Sequence, residues 1–102
     1  MTMQTNVSAS QARTDDGVLN NFAGNPIGRT RIKAIYIVPS GTAGSVAFKD
    51  GSTSSGTTKI TVNTVASATQ PTYLLLPGEG TLFDDGIYVD VTNIGSVMVF
   101  YG

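Results

Sequence analysis

The 102-residue chain contains no cysteine, no histidine and no tryptophan. The first two absences remove the thiol nucleophile, the commonest metal ligands and the commonest general base together. They also exclude disulfides, so a packed core or an oligomeric contact has to hold the fold. Charge is scarce as well: 13% of residues, six basic against seven acidic, for a formal net charge of −1. That balance supplies no field to recruit nucleic acid or an anionic membrane. No apolar run exceeds the five residues of Ala34-Ile-Tyr-Ile-Val38, far short of the roughly 20 that a membrane-spanning helix needs. The opening Met1-Thr-Met-Gln-Thr-Asn6 has neither a basic region nor an apolar one, so no signal peptide is expected. Without a secretory route the Asn6-Val7-Ser8 sequon stays unused.

What is there is a β-forming vocabulary. Leu, Ile, Val and Phe make about a quarter of the chain, above the roughly one-fifth below which disorder is the better reading. Residues 1–16 are polar and aperiodic, with Val7 the one large aliphatic residue besides the two Met. They read as a flexible N-terminal arm, either a disordered tail or an extension that orders on a partner. Ser8-Ala-Ser-Gln11 matches a helix capping box, but no amphipathic run follows it. Residues 17–102 read as a single all-β domain, with Gly or Pro at nearly every break. The expected strands are Val18–Ala23, Arg31–Val38, Ser45–Asp50, Thr57–Val65, Pro71–Leu76, Ile87–Thr92 and Val97–Tyr101. So many short strands imply a two-sheet antiparallel sandwich or a small barrel.

Turn chemistry and alternation add detail. Pro39 to Gly44 should join two strands, Asp50-Gly51 opens a loose loop, and Pro77-Gly78 suits a turn in which Gly takes a positive φ. In Thr57–Val65, Ile60 and Val62 oppose Lys59, Thr61 and Asn63, as in a half-exposed strand. Ile87, Val89 and Val91 alternate against Tyr88, Asp90 and Thr92, and Val97, Val99 and Tyr101 against Met98 and Phe100. These last two strands read as a terminal hairpin, and deleting the final five residues should destroy folding. Arg31–Val38 is different, because strict alternation puts Arg31, Lys33, Ile35 and Ile37 on one face and Ile32, Ala34, Tyr36 and Val38 on the other. One end is then apolar on both faces. Either a loop or the arm covers the second face, or that face or the Met98 and Phe100 face meets another subunit.

The remaining chemistry is thin. Ser and Thr abound without a His to activate them, and Lys33, Lys49 and Lys59 sit at polar strand positions rather than in a Ser-Lys dyad. Asp50, Glu79, Asp84, Asp85 and Asp90 could in principle form an acid-base pair, but a glycosidase also needs aromatic platforms across a sugar cleft, and the eight aromatics fall mostly at core-like positions. Glu79, Asp84 and Asp85 share one loop region without EF-hand spacing. Gly78-Glu-Gly80 has Phe83 where a dinucleotide fingerprint needs its third glycine. Arg29, Arg31 and Lys33 form the one basic cluster, too small for nucleic-acid readout and better suited to an acidic protein surface or to solvent. No enzyme activity, no cofactor and no metal is therefore expected.

The words Ile35-Tyr-Ile-Val-Pro39, Gly44-Ser-Val-Ala-Phe-Lys-Asp-Gly51, Leu76-Pro-Gly-Glu-Gly80, Gly86-Ile-Tyr-Val-Asp-Val-Thr92 and Val97-Met-Val-Phe-Tyr-Gly102 resemble small virion proteins of tailed phages. The similarity is to the short, β-rich head decoration or cement type of marine and cyanobacterial phages, and it covers residues from about 30 to the end. It implies a jelly-roll-like sandwich, with an immunoglobulin-like sandwich as the alternative, bound to the outer capsid surface after synthesis in the host cytoplasm. The implied partners are the major capsid protein and further copies of this chain, as a homotrimer, with no nucleic acid, membrane or small-molecule substrate. Capsid-contact candidates are Arg13, Arg29, Arg31 and Lys33; subunit-interface candidates are Ile35, Ile37, Met98 and Phe100. A receptor- or carbohydrate-binding module of a phage tail or fibre is the alternative function, with Tyr73 or Tyr88 as its aromatic platform.

Overall fold

Period-two alternation between Gly- and Pro-rich breaks gives this chain strands and little else. The computed structural model describes residues 7–67, 70–78 and 80–102, and among them it contains no helix. The strands are β1 (Ser8–Ala9), β2 (Gly17–Val18), β3 (Thr30–Pro39), β4 (Gly44–Asp50), β5 (Thr57–Thr64), β6 (Thr72–Leu75), β7 (Thr81–Phe83), β8 (Ile87–Thr92) and β9 (Ile94–Tyr101). They form two antiparallel sheets. Sheet I has the order β1-β9-β3-β6, with β7 beside β3 on the same edge as β6, and sheet II has the order β2-β8-β4-β5. The sheets pack as a sandwich whose shortest extent is 24 Å.

Between the sheets lies one core. Sheet I contributes Ile32, Ile35, Ile37, Phe83, Val97 and Val99, and sheet II contributes Val46, Phe48, Ile87 and Val89, all fully buried. Leu19 and Ile27 close one side, and Ile60, Val62 and Leu74 pack against its margin. Each such side chain stabilises the fold by roughly 1.5–3 kcal/mol through removal from water.

Strict alternation along β3 fails at one point, and the failure is instructive. Ile32 pairs with Tyr101 while Ala34 pairs with the very next residue of β9, Phe100, so Lys33 is an extra residue, a β-bulge. A bulge shifts the phase of every side chain beyond it. Ile32 therefore faces the core together with Ile35 and Ile37, although period two puts it on the opposite face from them. On the other edge of β3 the chain makes a matching detour, since β6 and β7 run in one direction along β3 and the ladder is interrupted between Leu75 and Thr81. Gly80 has φ +93, and a Cβ on it would collide with the Ile32 carbonyl, so only glycine fits where the detour returns to the bulge.

Three further expectations are corrected. The hairpin expected from Ile87–Thr92 and Val97–Tyr101 does not form: β8 pairs with β4 and β2 in sheet II, whereas β9 pairs with β3 and β1 in sheet I. The chain changes layers at Asn93, which takes φ 52, a conformation Asn tolerates. Its side chain donates to the Ala43 carbonyl at 3.1 Å, and Ser40 Oγ donates to the Asn93 carbonyl at 2.7 Å, tying this corner to the β3–β4 crossing. Of the strand expected over Val18–Ala23, Val18 alone belongs to a strand and Asn20 makes an isolated bridge to Pro26, because Asn21 turns the chain: its side-chain oxygen accepts from Asn25 N at 3.0 Å and its carbonyl from Gly24 N at 2.9 Å.

The third correction concerns the arm. Residues 1–6 lie outside the described residues, but residues 8–13 run along the edge of sheet I, and Asp16 then reaches sheet II, its carboxylate accepting from Val91 N at 2.7 Å. Ser8 and Ala9 pair with Tyr101 and Phe100, and Arg13 exchanges both backbone hydrogen bonds with Val97. Ser10 is fully buried; its Oγ accepts from Val99 N at 2.9 Å and its own N–H donates to the Val99 carbonyl at 2.9 Å. Polar composition concealed this strand because an edge strand is held by its backbone, and a hydroxyl can stand in for a missing ladder acceptor.

Candidate functional site

With the inner faces of both sheets committed to the core, anything the domain recognises must meet an outer face, an edge or a loop. The outer face of sheet II is polar. Ser45, Ala47, Lys49, Tyr88, Asp90 and Asn63 alternate with core residues, and Lys49 Nζ lies 3.6 Å from the Asp90 carboxylate. The outer face of sheet I is apolar. Register sets Phe100, Ala34 and Leu75 side by side across β9, β3 and β6, and Met98, Tyr36 and Tyr73 in the next row. Leu75 is 76% exposed and Tyr73 58% exposed.

This face has relief. Ala34 is a short side chain between two long ones, so a groove of about 420 Å³ opens over it, walled by Phe100, Leu75, Leu76 and Tyr73 and reached by Val7 and Lys33 at the rim. The Tyr73 and Phe100 rings meet across the groove, edge to face, with centroids 6.3 Å apart, a preferred aromatic geometry. The volume lies within the usual range for ligand and peptide pockets.

The sequence-derived contact residues divide. Met98 and Phe100 lie on this outer face, half-buried by their neighbours. Ile35 and Ile37 do not: they are fully buried in the core, because the bulge at Lys33 reverses their side of β3, and they are not available to a second subunit. Nor do the four cations gather into one patch. Arg13 sits beside Val97, and its guanidinium donates to the carbonyls of Asp15, Asp16 and Val18, so it stitches a turn together. Arg29 is exposed and pairs with Asp84 at 3.3 Å. Arg31 lies between buried Thr30 and Ile32, which places it on the outer face of sheet I, and Lys33 joins it there at the groove. Of the two tyrosines, Tyr73 borders the groove, while Tyr88 lies half-buried on the polar face of sheet II.

The acidic residues do structural work. Asp50 accepts the N–H groups of Asp85 at 2.8 Å and Asp84 at 3.1 Å and pairs with Lys59 at 3.3 Å. The Asp85 N–H does most to lower the Asp50 pKa; partial burial opposes it, and the Asp84 N–H and Lys59 add to the lowering. Lys59, the extra residue of a second bulge opposite Phe48 and Lys49, crosses the mouth of the sandwich: its Nζ donates to the Leu82 carbonyl at 2.8 Å and lies 5.7 Å from the centre of the Phe83 ring. A carboxylate so engaged is a clasp for the β7–β8 turn rather than a proton carrier. Glu79 lies outside the described residues, and among the described residues no three acidic side chains form a metal-holding group.

Sequence reasoning reached Met98, Phe100 and Tyr73 but missed Leu75, Ala34 and Val7. A signal was present for Leu75, since Leu74-Leu75-Leu76 is apolar at consecutive positions and so must place apolar side chains on both faces of its strand. No protein-family model, curated protein or solved structure matches this chain.

Proposed function

We propose that this chain is a structural, non-catalytic virion protein of a tailed phage, which decorates the outside of the capsid as an oligomer and bridges neighbouring major capsid proteins. The observation that carries the reading is the uncovered apolar face of sheet I on a sandwich whose other outer face is polar. Such patches on small soluble domains mark protein contacts. The strand-and-turn resemblance of residues 30–102 supplies the virion context. The jelly-roll form of the sandwich belongs to the same reading, in which, apart from β4–β5 and β6–β7, every connection passes from one sheet to the other.

In this reading the groove end of the face, around Ala34, Leu75 and Phe100, meets the shell, and the Met98 end meets a neighbouring copy in a trimer. One modest contact repeated at symmetric shell positions becomes strong through multivalency. The test is cosedimentation of the full chain with capsids assembled from the major capsid protein of the same genome, alongside light scattering. Binding at a fixed ratio that Leu75→Ser weakens at least tenfold is expected. A chain that stays in the supernatant overturns the proposal. The exposure of Tyr73 beside the groove favours a second reading, a carbohydrate- or receptor-binding module, which binding of the isolated domain to a glycan array would support in place of the first.

A further inference from the structure

We infer that the groove of sheet I takes an extended segment of a partner protein in which apolar side chains stand next to a carboxylate, with Arg31 and Lys33 as the anion-recognising end. The inference names the chemistry of the partner and holds whether or not that partner is a capsid protein.

Charge on this molecule is mostly spent internally. Of its six cations, Arg13, Arg29, Lys49 and Lys59 each lie within 3.6 Å of an aspartate. Arg31 and Lys33 have no carboxylate partner among the described residues, and these two lie on the same outer face, at the end of the apolar patch of sheet I. Their placement follows from the fold. Arg31 points outward because Thr30 and Ile32 point inward, and Lys33 reaches the groove because it is the bulged residue of β3. A ligand that fills the Ala34 groove with an apolar side chain therefore brings its neighbouring residues within reach of two cations that have no counter-charge among the described residues. Burying either cation under a neutral partner would cost desolvation without return, whereas a carboxylate offsets that cost and fixes the register.

The same feature decides against a second copy as the occupant. Among the described residues the outer face of sheet I carries Arg31 and Lys33 and no acidic side chain, so two copies packed face to face would supply no counter-charge to each other. Width is also informative. Phe100, Ala34 and Leu75 span three strands, about 10 Å, so roughly three to five residues of extended chain cover the groove. The site is suited to a short linear segment.

The experiment is selection of a random peptide library on the immobilised full chain, followed by affinity measurement of the winners on the wild type, on Leu75→Ser and on Arg31→Gln/Lys33→Gln. All substitutions are at the surface, and circular dichroism verifies that each variant folds. Enriched peptides should carry an aromatic or aliphatic residue within two positions of Asp or Glu. They should bind Leu75→Ser at least tenfold more weakly, the double variant at least fivefold more weakly, and Lys49→Gln on the opposite sheet as well as the wild type. Failure to enrich any peptide, enrichment of peptides without an acid, or equal affinity for the wild type and both groove variants overturns the inference. So does an oligomer that Leu75→Ser converts to a monomer, because the groove then belongs to a second copy. Peptide binding together with a negative capsid result would leave this inference standing and remove the virion reading.

Discussion

The outer faces of the two sheets differ although both belong to strands of the same kind. On sheet II, Ala47 pairs with Asp90 and Thr61, and Lys49 with Tyr88, giving a surface of small, hydroxyl and charged groups. On sheet I, Tyr36 pairs with Tyr73 and Met98, and Ala34 with Phe100 and Leu75. A free domain gains nothing by showing water the second surface in place of the first, because both inner faces already share the same core. Under the proposed function, the contrast assigns recognition to the outer face of sheet I and leaves the outer face of sheet II to solvent.

Four substitutions break or sharpen that contrast, and the largest effect belongs to the inner face. Ile35→Ala should cost about 3 kcal/mol in urea unfolding, the usual range for emptying a fully buried aliphatic site. A cost under about 1 kcal/mol would return Ile35 to the surface. Next comes the clasp on sheet II. Asp50→Ala removes two backbone hydrogen bonds to a carboxylate and should cost about 2 kcal/mol. Because the Asp50 pKa is lowered in the folded protein, its stabilisation is fully present above the unfolded carboxyl value of about 3.9 and is lost as pH falls through the lower folded value. An acid titration of stability should therefore show the wild type and Asp50→Ala converging only below that window.

Ser10→Ala probes the edge next to the apolar face, where Val99 N–H would lose its acceptor in a buried position. About 1.5 kcal/mol is expected, and no measurable change would mean that the edge strand opens freely. Smallest is Leu75→Lys, which should move the unfolding free energy by less than about 0.5 kcal/mol while lowering retention on a hydrophobic column. A stability loss as large as that of Ile35→Ala would show that Leu75 serves the core, and the contrast between the faces would vanish.

Much of this fold can be read from alternation, and its limits are physical. Ile60 and Val62, Ile87 and Val89, Val97 and Val99 all point inward as period two requires, since a strand buried on one face leaves its pattern in the chain. Alternation is silent about which sheet a strand joins, so the Asn93 corner passed for a hairpin turn. It is also blind to a bulge, and Ile35 and Ile37 passed for surface residues on that account. Backbone pairing of the polar residues 8–13 leaves almost no side-chain record. At the site, Met98 and Phe100 were legible because they oppose buried valines, whereas the groove between Phe100 and Leu75 depends on strand order and on the smallness of Ala34.

Lys33 has a consequence for how the gene can change. The strand on either side of it has opposite parity, so the chain carries the equivalent of a frame boundary within β3. Removing that one codon would join the halves in phase: with Ile35 and Ile37 kept inside, Ile32 would still point inward and Arg31 outward, so the core would keep its side chains while the groove lost a cation. A change of length, ordinarily absorbed by loops, is thus open to the core at this position in the middle of a sheet, and what the extra residue adds is a cation at the groove.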